Sequence, residues 1–509
     1  MTIVTIPSVA QGAAPDAMPE ELANGFWSTV LNCTFRNGYL QRCEGNEAFV
    51  DAPSVTPYFL LPFRNGTQLG LIHVGLQDAF IDLGGTRTEI GRASNYTGGA
   101  GDRWTGGIFN GIAIINNGVD VPQFWAGSTG SDFADLTNWP AGYTARAVRP
   151  HGFVIFAMDI TQAGTRYPSR VLISAIGEPG AVPPSWDVAN PAREAKTFDI
   201  EGGDVVVDGL SMGDAFIVYK TSSTHACRYI GGQEVWSRQK IAGGVGLLAR
   251  GCVADTAVGH VCLTTGDVVV HQGGTPRSIA TDMVRDTIFG EMDPDYYERS
   301  FVVANPSQSE VWVCYPTSGP ACKKAAVWNW RLNVWSFRSL RNVLHGAHGQ
   351  MPAPDGLTWA EETGTWAEAT DTWGGNATSP NDQKLVLAHD LPAITMVGYG
   401  TTDAGLAMTA EATRIGMALD DAGAVKLMTE VWPIFDAAAG TEIEVTAGAA
   451  MAPNVAPTYG DAQTFTVGTD AKVNVLSAGR YLALRYRTTD GAAWRTRSTR
   501  INVEQMGSY

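Results

Sequence analysis

Apolar residues in this chain come in short runs of about four to six, broken by Gly, Asn, Asp or Pro before a helix can form. The runs fall in pairs: 153–156 with 170–174, 215–219 with 226–230, and 260–263 with 267–270. In each pair the first member is nearly all apolar and the second alternates, which predicts hairpins packed between neighbouring sheets. A bulky apolar residue also recurs just after a turn, at Ile90, Trp139, Trp186, Trp236, Ile279 and Trp335, with separations of 49, 47, 50, 43 and 56. Several short strands per unit of this length predict an all-β chain built on a β-propeller. Six blades fit the marks. A seventh is completed by residues 343–348 or by the N-terminal strand. The competing architecture is a large irregular β-sandwich.

Four regions follow. Residues 1–30, punctuated by Pro7, Gly12, Pro15 and Pro19, predict a strap lying on another surface. Residues 31–345 hold the propeller; they begin with a strand, an Asn37-Gly38 turn and a second strand, and include a partly helical rim segment over 279–300. Residues 346–384 form a connector carrying Trp359, Trp366 and Trp373 at intervals of seven. Residues 385–509 predict six or seven short antiparallel strands, turning at Gly440, Gly468 and Asp490-Gly491, as in a C-terminal β-sandwich or jelly roll.

Charge narrows the partners. Lys and Arg total 35 against 51 Asp and Glu, a formal net charge of −16. That excludes a general affinity for nucleic acid or anionic membrane, which needs clustered cations. Nothing in the sequence reaches the length of apolar run that spans a bilayer. Nor does the N-terminus read as a signal peptide. The seven cysteines are irregularly spaced without a Cys-x-x-Cys, so buried thiols made in a reducing cytoplasm are expected, and neither a disulfide framework nor a zinc site. His345 and His348, flanked by glycines, read as a loop and not as a metal site. No nucleophile elbow, phosphate loop or zinc-protease motif is present, so no catalytic residue, metal or cofactor is expected and the chain reads as a non-enzyme.

The tryptophans allow two readings. Exposed rings beside Glu361 and Glu368 would suit a sugar. Packed rings would make a compact connector, each burying much apolar area. The second is favoured, with Trp328, Trp330, Trp335, Trp359, Trp366 and Trp373 as structural or assembly residues and Trp366→Ala expected to weaken folding or assembly.

Several phrases, taken in order, resemble the tail hub, or nozzle, proteins of short-tailed bacteriophages, also called tail tubular protein B-like. The family's Pro/Gly strap, Asn-x-x-Phe-x-x-Gly hairpin and Arg-x-x-Gly correspond here to Pro15, Pro19, Trp27, Asn32, Phe35, Gly38, Arg42 and Gly45. A Gly-rich hairpin at 273–281, a helical segment at 282–299 and an aromatic strand pair at 311–337 follow. The tryptophan repeat and the phrase Gly479-Arg480-Tyr481-Leu482-Ala483-Leu484-Arg485 complete the set. The repeat departs from the family, which favours Asp where this chain has Glu361 and Glu368.

The resemblance implies a structural virion protein, located in the tail and assembled in the host cytoplasm. It implies a homo-oligomeric ring, generally of six copies, below the portal and adaptor, with tail fibres or tip beyond. Viral DNA would pass through it during genome ejection, without membrane insertion. The alternatives are a glycan-binding or carbohydrate-active propeller and a tail-tip adhesin.

Overall fold

The computed structural model describes residues 2–7, 11–23, 25–66, 68–190, 193–232, 234–351, 383–419 and 421–508. Trp359, Trp366 and Trp373, and with them most of the predicted connector, lie outside the described residues.

Five four-stranded antiparallel sheets succeed one another along the chain, at 59–89, 105–135, 143–199, 206–243 and 253–278. In the third and fourth sheets the second strands, Val154–Gln162 and Ala215–Lys220, are buried almost throughout because neighbouring sheets cover both faces. A sixth sheet comprises Phe301–Asn305, Glu310–Tyr315, Cys322–Asn329 and the first half of the long strand Val334–Gln350. The second half of that strand opens a seventh sheet, pairing with Gln383–His389 and then Ile394–Val397. Its fourth strand comes from near the start of the chain: Asn46–Ala48 pairs with Ile394–Val397 through Thr395↔Ala48 and Val397↔Asn46.

The first strand of each sheet lies against that of the next, and residues 343–350 lie against Phe59–Asn65, so the ring closes at seven blades. Both predicted ways of making a seventh blade are used together. Residues 343–348 supply its inner strand and the N-terminal segment its outer one. A strand from near the start of the chain thus covers the outer edge of a sheet whose other three strands come from 343–397.

The C-terminal strands form a two-sheet sandwich, but not alone. In one sheet Ala424–Ala437 lies between Val473–Gly479 and Trp494–Ser508, and Trp494–Ser508 also pairs with Thr2–Pro7 and with Tyr39–Arg42. In the other, Ala410–Met417, Tyr481–Thr488 and Glu442–Ala450 are joined by Thr29–Leu31. Leu31 also meets Phe337 of blade six, so hydrogen bonding runs unbroken from propeller to sandwich.

These pairings correct three boundaries. The hairpin Cys33–Arg36/Tyr39–Arg42 turns at Asn37-Gly38 as expected, both residues having positive φ (50° and 77°). It belongs, however, to the sandwich and not to the propeller, because Phe35 and Leu40 bury their apolar face in the sandwich core. Residues 346–350 and 383–397, assigned to connector and sandwich, are blade seven. His345 and His348 lie on a strand, since glycines at 346 and 349 are tolerated where the inner strand passes close to Phe301 and Pro62. The helix predicted within 279–300 is observed as Thr281–Glu291, between blades five and six.

Residues 11–23 are a strap, and it packs on its own chain. Gly12 (φ +98°) runs over blade six, where a Cβ would lie 3.0 Å from Val334 Cβ and 3.1 Å from Trp335 N. The Asp16 carboxylate accepts the Asp286 and Thr287 amides of the helix at 2.6 and 3.0 Å. Arg414 of the sandwich donates to the carbonyls of Pro19 (3.3 Å) and Leu22 (2.6 Å).

Candidate functional site

Two places concentrate polar side chains under cover. The first is the joint between propeller and sandwich. Asn32, held at φ 52°, donates from Nδ2 to Ser339 Oγ (2.8 Å) and to the Thr409 carbonyl (2.7 Å), while its Oδ1 accepts from the Ser339 amide (3.0 Å). One amide thus touches strands of both bodies. Arg42 donates to the carbonyls of Cys43 (3.1 Å), Thr401 (3.0 Å) and Met408 (3.3 Å); burial lowers its pKa, and carbonyl dipoles take the place of a counter-ion. At Gly45 a Cβ would stand 2.4 Å from the Thr402 carbonyl oxygen, so only glycine admits this crossing. Trp27 packs its ring 6.0 Å from that of Tyr486 in the sandwich core.

Of the predicted tryptophans, Trp328, Trp330 and Trp335 lie in the core beside this joint. Trp328 and Trp335 face each other across blade six with centroids 6.5 Å apart. Trp328 Nε1 donates to Asn333 Oδ1 (3.1 Å) and Trp335 Nε1 to the Ile279 carbonyl (2.9 Å). Both are buried, and Trp330 is half-buried beside them. Their indole N–H groups are satisfied within the chain, as packing tryptophans require.

The second place is the propeller axis. A cavity of about 260 Å³ is lined from every blade, and Arg103, Arg149 and Arg250 reach it. Arg149 grips Asp208 with two parallel bonds of 2.9 and 2.7 Å, and Asp208 also accepts the Gly209 and Gly251 amides at 2.9 Å. Burial pushes the Asp208 carboxyl upward, but Arg149 and these bonds outweigh it and hold the group below its usual value. His345 accepts the Leu60 amide at Nδ1 (3.2 Å), and burial, with Arg103 and Arg149 nearby, brings its pKa down to about 3. His345 and His348 therefore join the axial wall as neutral rings. Among the described residues no cluster of three or more His, Cys, Asp or Glu could hold a metal ion.

Between blades four and five, Tyr219, His260 and His271 form a closed chain of hydrogen bonds. The Gly273 amide donates to His271 Nδ1 (3.2 Å), which puts that ring's proton on Nε2, 2.7 Å from Tyr219 Oη. His260 Nε2 lies 2.9 Å from the Ser211 carbonyl, so it carries the proton and Nδ1 accepts from Tyr219 at 2.8 Å. Burial holds both rings near pKa 4, and each tautomer is fixed by its neighbours.

The axial arginines were missed by sequence reasoning. They follow no compact motif, although Arg103 and Arg250 each stand just before the first strand of a blade, a recurrence that an acidic chain makes noticeable. The cysteines are all buried and free, with burial raising their thiol pKa values, for example Cys43 to about 11.

No protein-family model matches the chain, and no curated protein matches it. Among solved structures it is similar to BBS1N in complex with ARL6DN, at 10% identity, covering 71% of this chain and 98% of that one, with a TM-score of 0.39. It is also similar to Saccharomyces cerevisiae Sqt1, at 7% identity over 70% of this chain and 100% of that one, with a TM-score of 0.37. YCF48 bound to D1 peptide shares 9% identity over 72% of this chain and 98% of that one, with a TM-score of 0.38.

Proposed function

We propose that the chain is a structural protein of a short-tailed bacteriophage virion, one copy of a ring-shaped tail hub or nozzle through which the genome leaves. One observation carries the reading. Two passages behind the resemblance, 19–45 and 479–485, are far apart in sequence yet meet at the joint. Pro19 and Trp27 touch the sandwich strands at Arg414 and Tyr486, and Phe35 lies in the same core. Asn32 and Arg42 bond to carbonyls of 401–409 just before the sandwich, and Gly45 passes against Thr402. Gly479 ends one sandwich strand and 481–485 begin another. Short phrases that match in order and also share a structural task are better support than phrases matching by composition.

Two further features suit a ring. Val473–Gly479 ends its sheet, with no strand on its outer side among the described residues, and such an edge invites pairing with another chain. Beside it lies a groove of about 440 Å³ lined by Met451, Val455 and Leu476, the last 77% exposed. A second copy of the chain is the occupant this reading assigns. The net charge of −16 suits a conduit that DNA passes without adhering. Adaptor and portal-proximal proteins would sit on one side of the ring and fibres or tip on the other. Cryo-electron microscopy of the virion tests this by position: the chain is expected in a ring beneath the adaptor, and density only in fibres or outside the tail axis would overturn it.

A second reading, a glycan-binding propeller, draws on a cavity of about 320 Å³ lined by Tyr143, Arg170, Trp186 and Asp187. The buried Nε1 of Trp186 has no hydrogen-bond partner there among the described residues. Binding of host surface polysaccharide that Trp186→Ala abolishes would favour it; a blank glycan array would dispose of it.

A further inference from the structure

We propose that the propeller axis is an anion site, seating one phosphate-class oxyanion among Arg103, Arg149 and Arg250. The inference does not rest on the tail-hub reading, since it follows from charge and geometry at the axis alone.

Three arginines from three places in the ring line one cavity, and just behind it the buried Asp208 carboxylate is bonded to one of them, while the buried Asp159 is held by Arg166. Arg149 takes that carboxylate, Asp208, in a two-bond fork. Arg103 donates only to backbone carbonyls, those of Glu298 (3.3 Å), Arg299 (2.7 Å) and Ser300 (3.4 Å). Arg250 donates to the Arg146 carbonyl (2.7 Å). Asp255, the acid in the cavity lining, has its side chain 65% exposed and lies 3.8 Å from His260. Among the described residues these two half-buried guanidinium groups therefore hydrogen-bond to neutral partners, with Asp208 near them but bonded to Arg149.

A covered charge without a counter-charge is unfavourable, and the structure registers it. Burial, with Arg146 and Arg103 nearby, lowers Arg250 to about 10, and burial lowers Arg103 as well. An oxyanion removes the conflict, because guanidinium forks match its oxygens and need no deprotonation. His345 adds a donor: with Nδ1 accepting from Leu60, the neutral ring carries its proton on Nε2. The cavity, at about 260 Å³, falls just below the usual range for small-molecule pockets, which suits a phosphate group and a few waters. Such an ion would tie blade two, blade three and the lead into blade five together across the axis.

Full-length protein is dialysed to equilibrium against radiolabelled inorganic phosphate, and its melting temperature is followed in phosphate and in chloride at equal ionic strength. The expected result is one phosphate per chain and a melting temperature that keeps rising with phosphate concentration but not with chloride. Arg250→Met is expected to bind at least tenfold more weakly and to melt above the parent in chloride alone, because an unpaired covered charge has gone. Arg250→Lys, which keeps the charge and loses the fork, is expected to fall between them. Arg285→Gln, on the exposed helix face, is expected to leave both readouts unchanged. A parallel arm with glycerol 3-phosphate separates sources: tighter binding than inorganic phosphate assigns the site to the head of a phosphomonoester, and weaker binding assigns it to the free ion. Phosphate that stabilises no better than chloride, or an Arg250→Met protein that binds like the parent, would overturn the proposal.

Discussion

The propeller and the sandwich contain the same kind of strands but are assembled from the chain in different ways. Blades one to six are each cut from one contiguous stretch, so every strand pairs with its neighbour in sequence. The sandwich combines strands from 410–508 with Thr2–Pro7, Thr29–Leu31 and the hairpin at 33–42, pairings that span more than 350 residues. Blade seven lies between these cases, with three local strands and one imported. Local pairing leaves a periodic trace in sequence and forms early. Distant pairing leaves none and must await closure of the whole loop.

The largest test of this difference is truncation. Deleting residues 1–48 removes the sealing strand of blade seven and all the imported sandwich strands. The C-terminal strands are expected to become protease-sensitive from about 410 onward, while fragments covering blades one to six stay protected. A truncated chain with an intact, protected sandwich would break the comparison. A point version is Phe35→Ala, which empties a buried ring position in the imported hairpin and should cost about 3–5 kcal/mol in chemical denaturation. If that loss appears only in the C-terminal unfolding phase, the two bodies unfold separately; a single shared shift would mean that the joint couples them.

Acid probes the propeller instead. His260 and His271 stay neutral in the folded ring until about pH 4, whereas the unfolded chain protonates them near 6.5. Between those values the unfolded state holds more protons. Stability from this pair is therefore complete above pH 6.5 and declines as pH falls toward 4, by up to about 1.4 kcal/mol per unit for each ring. Unfolding by urea at pH 7.5 and 5.5 checks the sign; a propeller no weaker at 5.5 would contradict it. The smallest effect is expected from Tyr219→Phe, which strips both histidines of their shared partner and should cost about 1–3 kcal/mol.

The same contrast explains what could be read from the sequence. The paired runs at 153–156 and 170–174, 215–219 and 226–230, and 260–263 and 267–270 fall in the second and third strands of blades three, four and five, because burial on both faces dictates their composition. The bulky residues used to mark the period all lie near fourth strands, but not at equivalent places. Ile90, Trp139 and Ile279 lie just past the strand, Trp236 within it, and Trp186 before it, on the long segment 174–195 of blade three. Trp335 lies within the fourth strand of blade six, so the six marks count blades one to six; blade seven carries none because its outer strand, Asn46–Ala48, comes from near the start of the chain. The turn at Asn37-Gly38 was legible because it needs residues of positive φ, but the sheet receiving its hairpin was not. The axial arginines escaped for a related reason: Arg103, Arg149 and Arg250 become neighbours only when the ring closes.

On the proposed reading, this chain works as one wall segment of a ring. Mass photometry of the full-length protein, alone and with a phage tail adaptor protein, tests that directly, with Leu476→Glu as the comparison. The account predicts a species near six times the 54.2 kDa chain that Leu476→Glu disperses without unfolding the monomer. A protein that remains monomeric with every partner, or a ring indifferent to Leu476→Glu and to every other change on the 473–479 edge, would contradict it.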